Sequence, residues 1–302
     1  MRGRSPAHSR DRRWRDRLWP RSVEAGPRVV VPLGMHRSGL SVATALIYRL
    51  GVPVDEEGRR IVEAHDRLFA RFGSSWMRPR LTTPLPETWH RDVEVTAIRR
   101  ELVGLLREAL SRNRGLWAFN DPRTVRFLPL WQRIFAEIGA RPSWILVVRH
   151  PAAVIGSLAP RSGLSRPRCE LLWIEHYLDA LAQIERADLV VLSFERLLAD
   201  PARELRRLLN RLPFLAARSE EELAAIAATS LDAARVHEGL NRGRGRDDTC
   251  TKTALMIHDW LGALAADRPL PQATPAGISA AAAQDLARLV ERDRTNGAAP
   301  PV

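Results

Sequence analysis

The segment Gly34-Met35-His36-Arg37-Ser38-Gly39-Leu40-Ser41 holds two glycines separated by four residues, with a cation and a hydroxyl between them and a second hydroxyl after them. Glycines at this spacing ahead of a helix let the backbone curl so that successive N–H groups face an oxyanion, with the positive end of the helix behind them. A nucleotide P-loop carries a lysine directly after its second glycine; here that place is Leu40, and the cation of the loop is Arg37. The P-loop lysine reaches the β- and γ-phosphates of ATP. Its absence points to a nucleotide whose anions are distributed differently.

A second cation ends an apolar run. SWILVV at 143–148 reads as a buried strand, Arg149-His150-Pro151 follows it, and Ser157 lies eight residues after Arg149. A strand end, a guanidinium and a hydroxyl two helical turns on form a clamp for a phosphate. A third segment, Trp117-Ala118-Phe119-Asn120-Asp121-Pro122-Arg123-Thr124, puts an acid before a proline, where Asp121 reads as the N-cap of a following helix.

Together these segments resemble those of sulfotransferases that use 3'-phosphoadenosine-5'-phosphosulfate (PAPS) as sulfonate donor. Residues 34–41 match the 5'-phosphosulfate loop of bacterial and glycan-type members, whose pattern is close to GMHRSGTS, at every position but Leu40, where threonine is usual. Arg149 and Ser157 match the 3'-phosphate segment. Asp121, Pro122 and Arg123 match an FKDPR segment of bacterial members, with Asn120 in place of the lysine. Leu192-Ser193-Phe194-Glu195, with Leu197, Asp200 and Pro201, is similar to a strand-plus-helix segment of the family and reads as structural. The matches cover about residues 28–212.

The resemblance implies in-line transfer of a sulfonate from PAPS to a hydroxyl or amine, leaving 3'-phosphoadenosine-5'-phosphate. It assigns His36, Arg37, Ser38, Gly39, Leu40 and Ser41 to the 5' side of the donor and Arg149 and Ser157 to its 3'-phosphate. Arg37 is the cation beside the departing oxygen. A base for the acceptor's proton is expected near the helix that holds Ile61-Val62-Glu63-Ala64-His65-Asp66, with Glu63 and His65 as candidates; family members often carry a glutamate shortly before it, and this chain is shortened there. His36 and His150 are expected to position the backbone or the nucleotide. No metal is required. Leu40, Asn120 and the shortened segment also fit a degenerate protein that binds the nucleotide without turnover. A P-loop kinase is a more remote alternative, because the lysine is missing.

The elements that hold these residues alternate. Strands are expected at 29–33, 116–119, 143–148 and 189–192, and helices at 42–50, 61–72, 92–110, through Trp131 and Ile134, from 152, at 169–184 and at 201–212. This order predicts a P-loop-like, three-layer α/β fold, a central parallel sheet flanked by helices, with ligands bound outside the carboxyl ends of the strands. Residues 1–27 read as a disordered basic tail, 28–267 as the sulfotransferase domain, and 268–302 as a linker with a C-terminal helix and tail.

Composition narrows the setting. The chain has 302 residues, 45% of them hydrophobic, and a formal charge of +12 carried by arginine, with Lys252 the only lysine. Arginine suits bidentate contacts to phosphate and sulfate. The excess charge allows polyanionic partners, but no nucleic-acid motif accompanies it. Cys169 and Cys250 lack metal-ligand spacing and fit a reducing compartment. With no apolar run long enough to span a bilayer and no apolar N-terminal signal, a cytoplasmic protein is expected. The acceptor is unidentified: a carbohydrate, a small metabolite, a lipid head group or a peptide.

Overall fold

A computed structural model describes residues 26–54, 57–76, 86–241, 250–271 and 285–293. The basic tail expected at 1–27 lies almost wholly outside them, as does much of the linker, helix and tail expected at 268–302. Four strands form one all-parallel sheet in the order β2-β1-β3-β4, where β1 is Arg28–Gly34, β2 Leu116–Ala118, β3 Arg141–Val148 and β4 Leu189–Ser193. The helices are α1 (Leu40–Arg49), α2 (Gly58–Arg71), α3 (Val93–Arg112), α4 (Leu128–Ile138), α5 (Pro151–Ser162), α6 (Arg166–Gln183), α7 (Phe194–Ala199), α8 (Pro201–Arg211), α9 (Glu220–Asn241) and α10 (Lys252–Ala265). Residues 285–293 are also helical. The fold is α/β, a central parallel sheet flanked by helices.

Both faces of the sheet are covered, which explains why its strands read as continuous apolar runs rather than alternating ones. Val29, Val31, Leu33, Leu146, Val148 and Val191 face one core, closed by α2–α6 and α10. Val30, Ile145, Val147, Val190 and Leu192 face the other, closed by α1 and α7–α9. Pro32 sits inside β1, an unusual place for a residue without an N–H. It is tolerated there because β2 pairs only with Arg28–Val30, so at Pro32 β1 has β3 alone as a neighbour.

The strand order creates the site. After β1 the chain enters α1, on one face of the sheet; after β3 it enters α5, on the other. The connections of the adjacent strands β1 and β3 therefore part at their carboxyl ends and leave a crevice between them. The loops after these two strands carry the two cationic motifs of the sequence. Among the described residues no helix is long and apolar enough to cross a membrane.

Candidate functional site

The turn after β1 is tight, and its glycines are required by space. A Cβ on Gly34 would lie 2.6 Å from Ser38 Oγ and 3.0 Å from the Val147 carbonyl oxygen; a Cβ on Gly39 would lie 2.2 Å from the Phe194 ring. Gly39 is also left-handed, at φ 97°, and Arg37 holds a left-handed φ of 70°. Such a conformation in a non-glycine residue costs roughly 1–3 kcal/mol and persists where surrounding contacts fix it. Here Ser38 N–H donates to the Met35 carbonyl at 3.0 Å. An Arg149 Nη1–H donates to the Arg37 carbonyl at 2.9 Å. We expect Gly39→Ala to unfold about 2–4 kcal/mol more easily, through left-handed strain and collision with Phe194. Denaturant titration measures this, and an unchanged midpoint would contradict the close approach.

The two motifs, 112 residues apart in sequence at Arg37 and Arg149, meet at the crevice. Arg37 Nε–H donates to Ser157 Oγ at 3.0 Å. Arg149 is buried, its guanidinium carbon 5.0 Å from the centre of the Phe194 ring. Trp173 Nε1–H donates to the Arg149 carbonyl at 3.3 Å, and the Tyr177 hydroxyl donates to the Val147 carbonyl at 2.8 Å. Helix α6 thus fastens the end of β3. Burial and the neighbouring Arg161 and Arg149 lower the pKa of Arg37. Three guanidinium groups this close repel one another, and an anion among them relieves the repulsion.

The remaining loop residues are arranged around this group. Ser38 is fully buried. Leu40 is buried among apolar side chains, so it offers the crevice its backbone N–H and no hydroxyl. Ser41 is exposed in the first turn of α1. No side chain caps α1, which leaves its leading amides to a ligand. Asn120 donates from Nδ2 to Thr44 Oγ1, and Thr44 donates to the Leu40 carbonyl at 2.9 Å, so the residue in the lysine's place lies against α1. His150 caps α5, its Nδ1 accepting from Ala152 N–H at 3.3 Å.

Sequence reasoning missed how Phe194 and Glu195 support the site. Glu195 accepts from the His150 N–H at 2.8 Å through Oε1 and from the Ser193 hydroxyl at 3.1 Å through Oε2. The segment that reads as structural therefore holds the turn after β3 in place.

The two candidate bases stand on opposite sides of α2. Glu63 is on the exposed side of the helix. His65 is fully enclosed: its Nε2 accepts from Trp131 Nε1–H at 3.0 Å, so its Nδ1–H is the donor to Asp121 Oδ2 at 2.8 Å. With both nitrogens occupied inside the core, His65 packs and orients rather than meeting an acceptor. Asp121 also accepts from Arg123 and caps the following turn, as expected. Burial alone would raise its pKa, but the hydrogen bonds from His65 and Arg123 hold it down at about 2.

A cleft opens beside the loop, between Met35 and His36 on one side and Trp76, Arg126, Glu175 and His176 on the other. His36 stacks on Trp76 with ring centres 4.1 Å apart. Burial pushes His36 down to about 4 and, with His36 nearby, His176 down to about 3. Burial pushes Glu175 up to about 8, against the pull of Arg126. The pair Glu175-His176 inside the apolar stretch LLWIEHYL was a visible but unused signal.

No protein-family model matches the chain, and no curated protein matches it by sequence. Solved structures do resemble it. A sulfotransferase domain from the olefin synthase of Synechococcus PCC 7002 superposes at TM-score 0.43 and 19% identity, over 94% of this chain and 99% of that one. A sulfotransferase domain from the curacin biosynthetic pathway gives TM-score 0.46 and 15% identity over 81% and 99%. The sulfotransferase STF9 from Mycobacterium avium gives TM-score 0.43 and 13% identity over 70% and 69%.

Proposed function

We propose that this chain transfers a sulfonate group from PAPS to a hydroxyl or amine acceptor. One observation carries the reading: the loop after β1 and the turn after β3 are joined through Arg37, Ser157 and Arg149 into a single cationic crevice. A donor with anions at both its 5' and 3' positions needs two anion subsites on one surface. The glycine cradle after β1 and the uncapped start of α1 suit the 5' side. Arg149 and Ser157 suit the 3'-phosphate, with Arg149 held rigid by Phe194 and by the Arg37 carbonyl.

PAPS supplies an activated sulfonate whose departing oxygen gathers negative charge as its bond to sulfur breaks. The chain's own residues hold and stabilise that charge. The first amides of α1 and the Ser38 and Ser41 hydroxyls orient the 5' anions. Arg37 extends its guanidinium from a backbone fixed before the reaction, so no reorganisation is needed when charge appears. Its bond to Ser157 ties the cation of the 5' side to the hydroxyl of the 3' side, so filling one subsite orders the other.

The test uses PAPS labelled in its sulfonate, the purified chain, and a set of small alcohols, phenols, sugars and amines. Label appearing in an acceptor, with an equal amount of 3'-phosphoadenosine-5'-phosphate formed, is the expected result. Tight binding of that bisphosphate with no transfer to any acceptor would favour the nucleotide-binding reading. The burial of Leu40, which leaves the loop one hydroxyl short, is the observation behind that second reading.

A further inference from the structure

We propose that the cleft beside the Met35–Arg37 turn receives an uncharged, hydroxyl-bearing acceptor and that Glu175 takes the proton from its hydroxyl; the inference rests on the sulfotransferase reading. The position of the cleft is the first reason. His36 lines it, and the next residue is Arg37, the cation assigned to the departing oxygen. A group seated in the cleft therefore lies against the turn that carries Arg37. The enclosed part of the cleft has a volume of about 30 Å³, room for the hydroxyl end of an acceptor whose body stays toward the side open to solvent.

The second reason is the state of Glu175. It is only 6% exposed, and neither carboxylate oxygen accepts a hydrogen bond from a described residue. The Arg126 guanidinium stands 3.9 Å away and is engaged by Asp179. A carboxylate buried without hydrogen bonds weakens a fold. Its place on a cleft wall gives it a use. The other walls include Met35, Phe69, Trp76 and Leu172, which suit an apolar acceptor body.

Base strength separates Glu175 from its neighbours. His36 at about 4 and His176 at about 3 bind protons weakly, whereas Glu175 at about 8 is the strongest of the three bases. The Nε2 atoms of both histidines find no partner among the described residues and can orient a hydroxyl. The charged and titratable groups around Glu175 are Arg123 and Arg126 from the turn after β2, His36 from the loop after β1, and Arg168, His176 and Asp179 from its own helix.

In the step itself, the acceptor oxygen bonds to sulfur while the bond from sulfur to the bridging oxygen of the nucleotide breaks. That oxygen leaves with the electron pair, and the acceptor's proton passes to a carboxylate oxygen of Glu175. Glu175 must be ionised to act, so transfer rises with pH through about 8.

Glu175→Gln tests this with 4-methylphenol as the probe acceptor, whose hydroxyl stays protonated across the pH range in which Glu175 ionises. The variant is expected to bind 3'-phosphoadenosine-5'-phosphate within about 3-fold of the wild type and to bind 4-methylphenol normally. Its transfer from PAPS should fall about 100-fold or more, and the rise with pH should vanish. Transfer at the wild-type rate by the variant would overturn the assignment. So would wild-type protein that binds the bisphosphate but passes no sulfonate to 4-methylphenol. Failure to bind the bisphosphate would count against the donor reading, and melting curves then still judge Glu175. Because burial raises its pKa above the ordinary carboxylate range, its folded form loses stability as pH rises through about 8. The Gln variant should therefore gain in melting temperature over wild type on going from mildly acidic to alkaline pH. A pH-independent difference would overturn the buried carboxylate without hydrogen bonds on which the proposal stands.

Discussion

Arg149→Ala is expected to bind 3'-phosphoadenosine-5'-phosphate about 10- to 100-fold more weakly than the wild type while binding adenosine 5'-phosphate nearly unchanged. The magnitude follows from losing one charge-assisted contact to a phosphate, about 1.5–3 kcal/mol, at about 1.4 kcal/mol per tenfold. The selectivity follows from position. Arg149 stands at the end of β3, buried against Phe194, and donates to the Arg37 carbonyl of the 5' loop. If its main effect were to hold that loop, both nucleotides would weaken equally when it is removed. Calorimetry with the two nucleotides separates the cases. Arg149→Lys should recover little, since a single ammonium cannot donate to the Arg37 carbonyl and to a phosphate with the geometry of a planar fork.

Arg37→Ala should lower kcat by about 100- to 1,000-fold, comparable to removing a main stabiliser of transition-state charge from an active site. Nucleotide affinity should fall less, because the loop amides and Arg149 remain. Ser157→Ala provides the control. It breaks the same Arg37–Ser157 hydrogen bond but keeps the guanidinium, so its kcat should drop less than about 10-fold, with most of its effect on affinity for the 3'-phosphorylated nucleotide. Steady-state and single-turnover kinetics of the two variants decide the matter. Equal losses of kcat would mean that Arg37 matters only as a partner of Ser157.

Much of the fold was legible because its signals are local. The run Val29–Val31, the glycines of the following turn, SWILVV and the proline after Arg149 each specify a strand end or a helix start within a few residues. β1 and β3 prove longer than their apolar runs, since pairing in the sheet carries Arg28, Gly34, Arg141 and Pro142 along with them. The strand order was not legible, because it depends on which strand a helix returns to. The support given by Phe194 and Glu195 was hidden for the same reason: Gly39 meets Phe194 across 155 residues, and His150 meets Glu195 across 45.

The α2 candidates teach a different lesson. Ile61, Ala64, His65, Leu68 and Phe69 share one helical stripe, and all are buried. That spacing was readable and should have counted His65 as a core residue bonded to Asp121 and Trp131. Glu63, two residues before it, had to face outward. Conversely, Glu175 lies in a helix whose buried residues run unbroken from Cys169 to Tyr177. An acid inside such a run is either paired or functional, and only the packing shows that no described residue donates a hydrogen bond to it.

Calorimetric titration of the purified chain with 3'-phosphoadenosine-5'-phosphate, beside ADP and magnesium-ATP, tests the donor site most directly. Tight binding of the 3',5'-bisphosphate, with both controls much weaker, is the expected result. A preference for magnesium-ATP, or no discrimination among the three, would contradict the pairing of the Arg37 loop with Arg149 and Ser157 as one donor site.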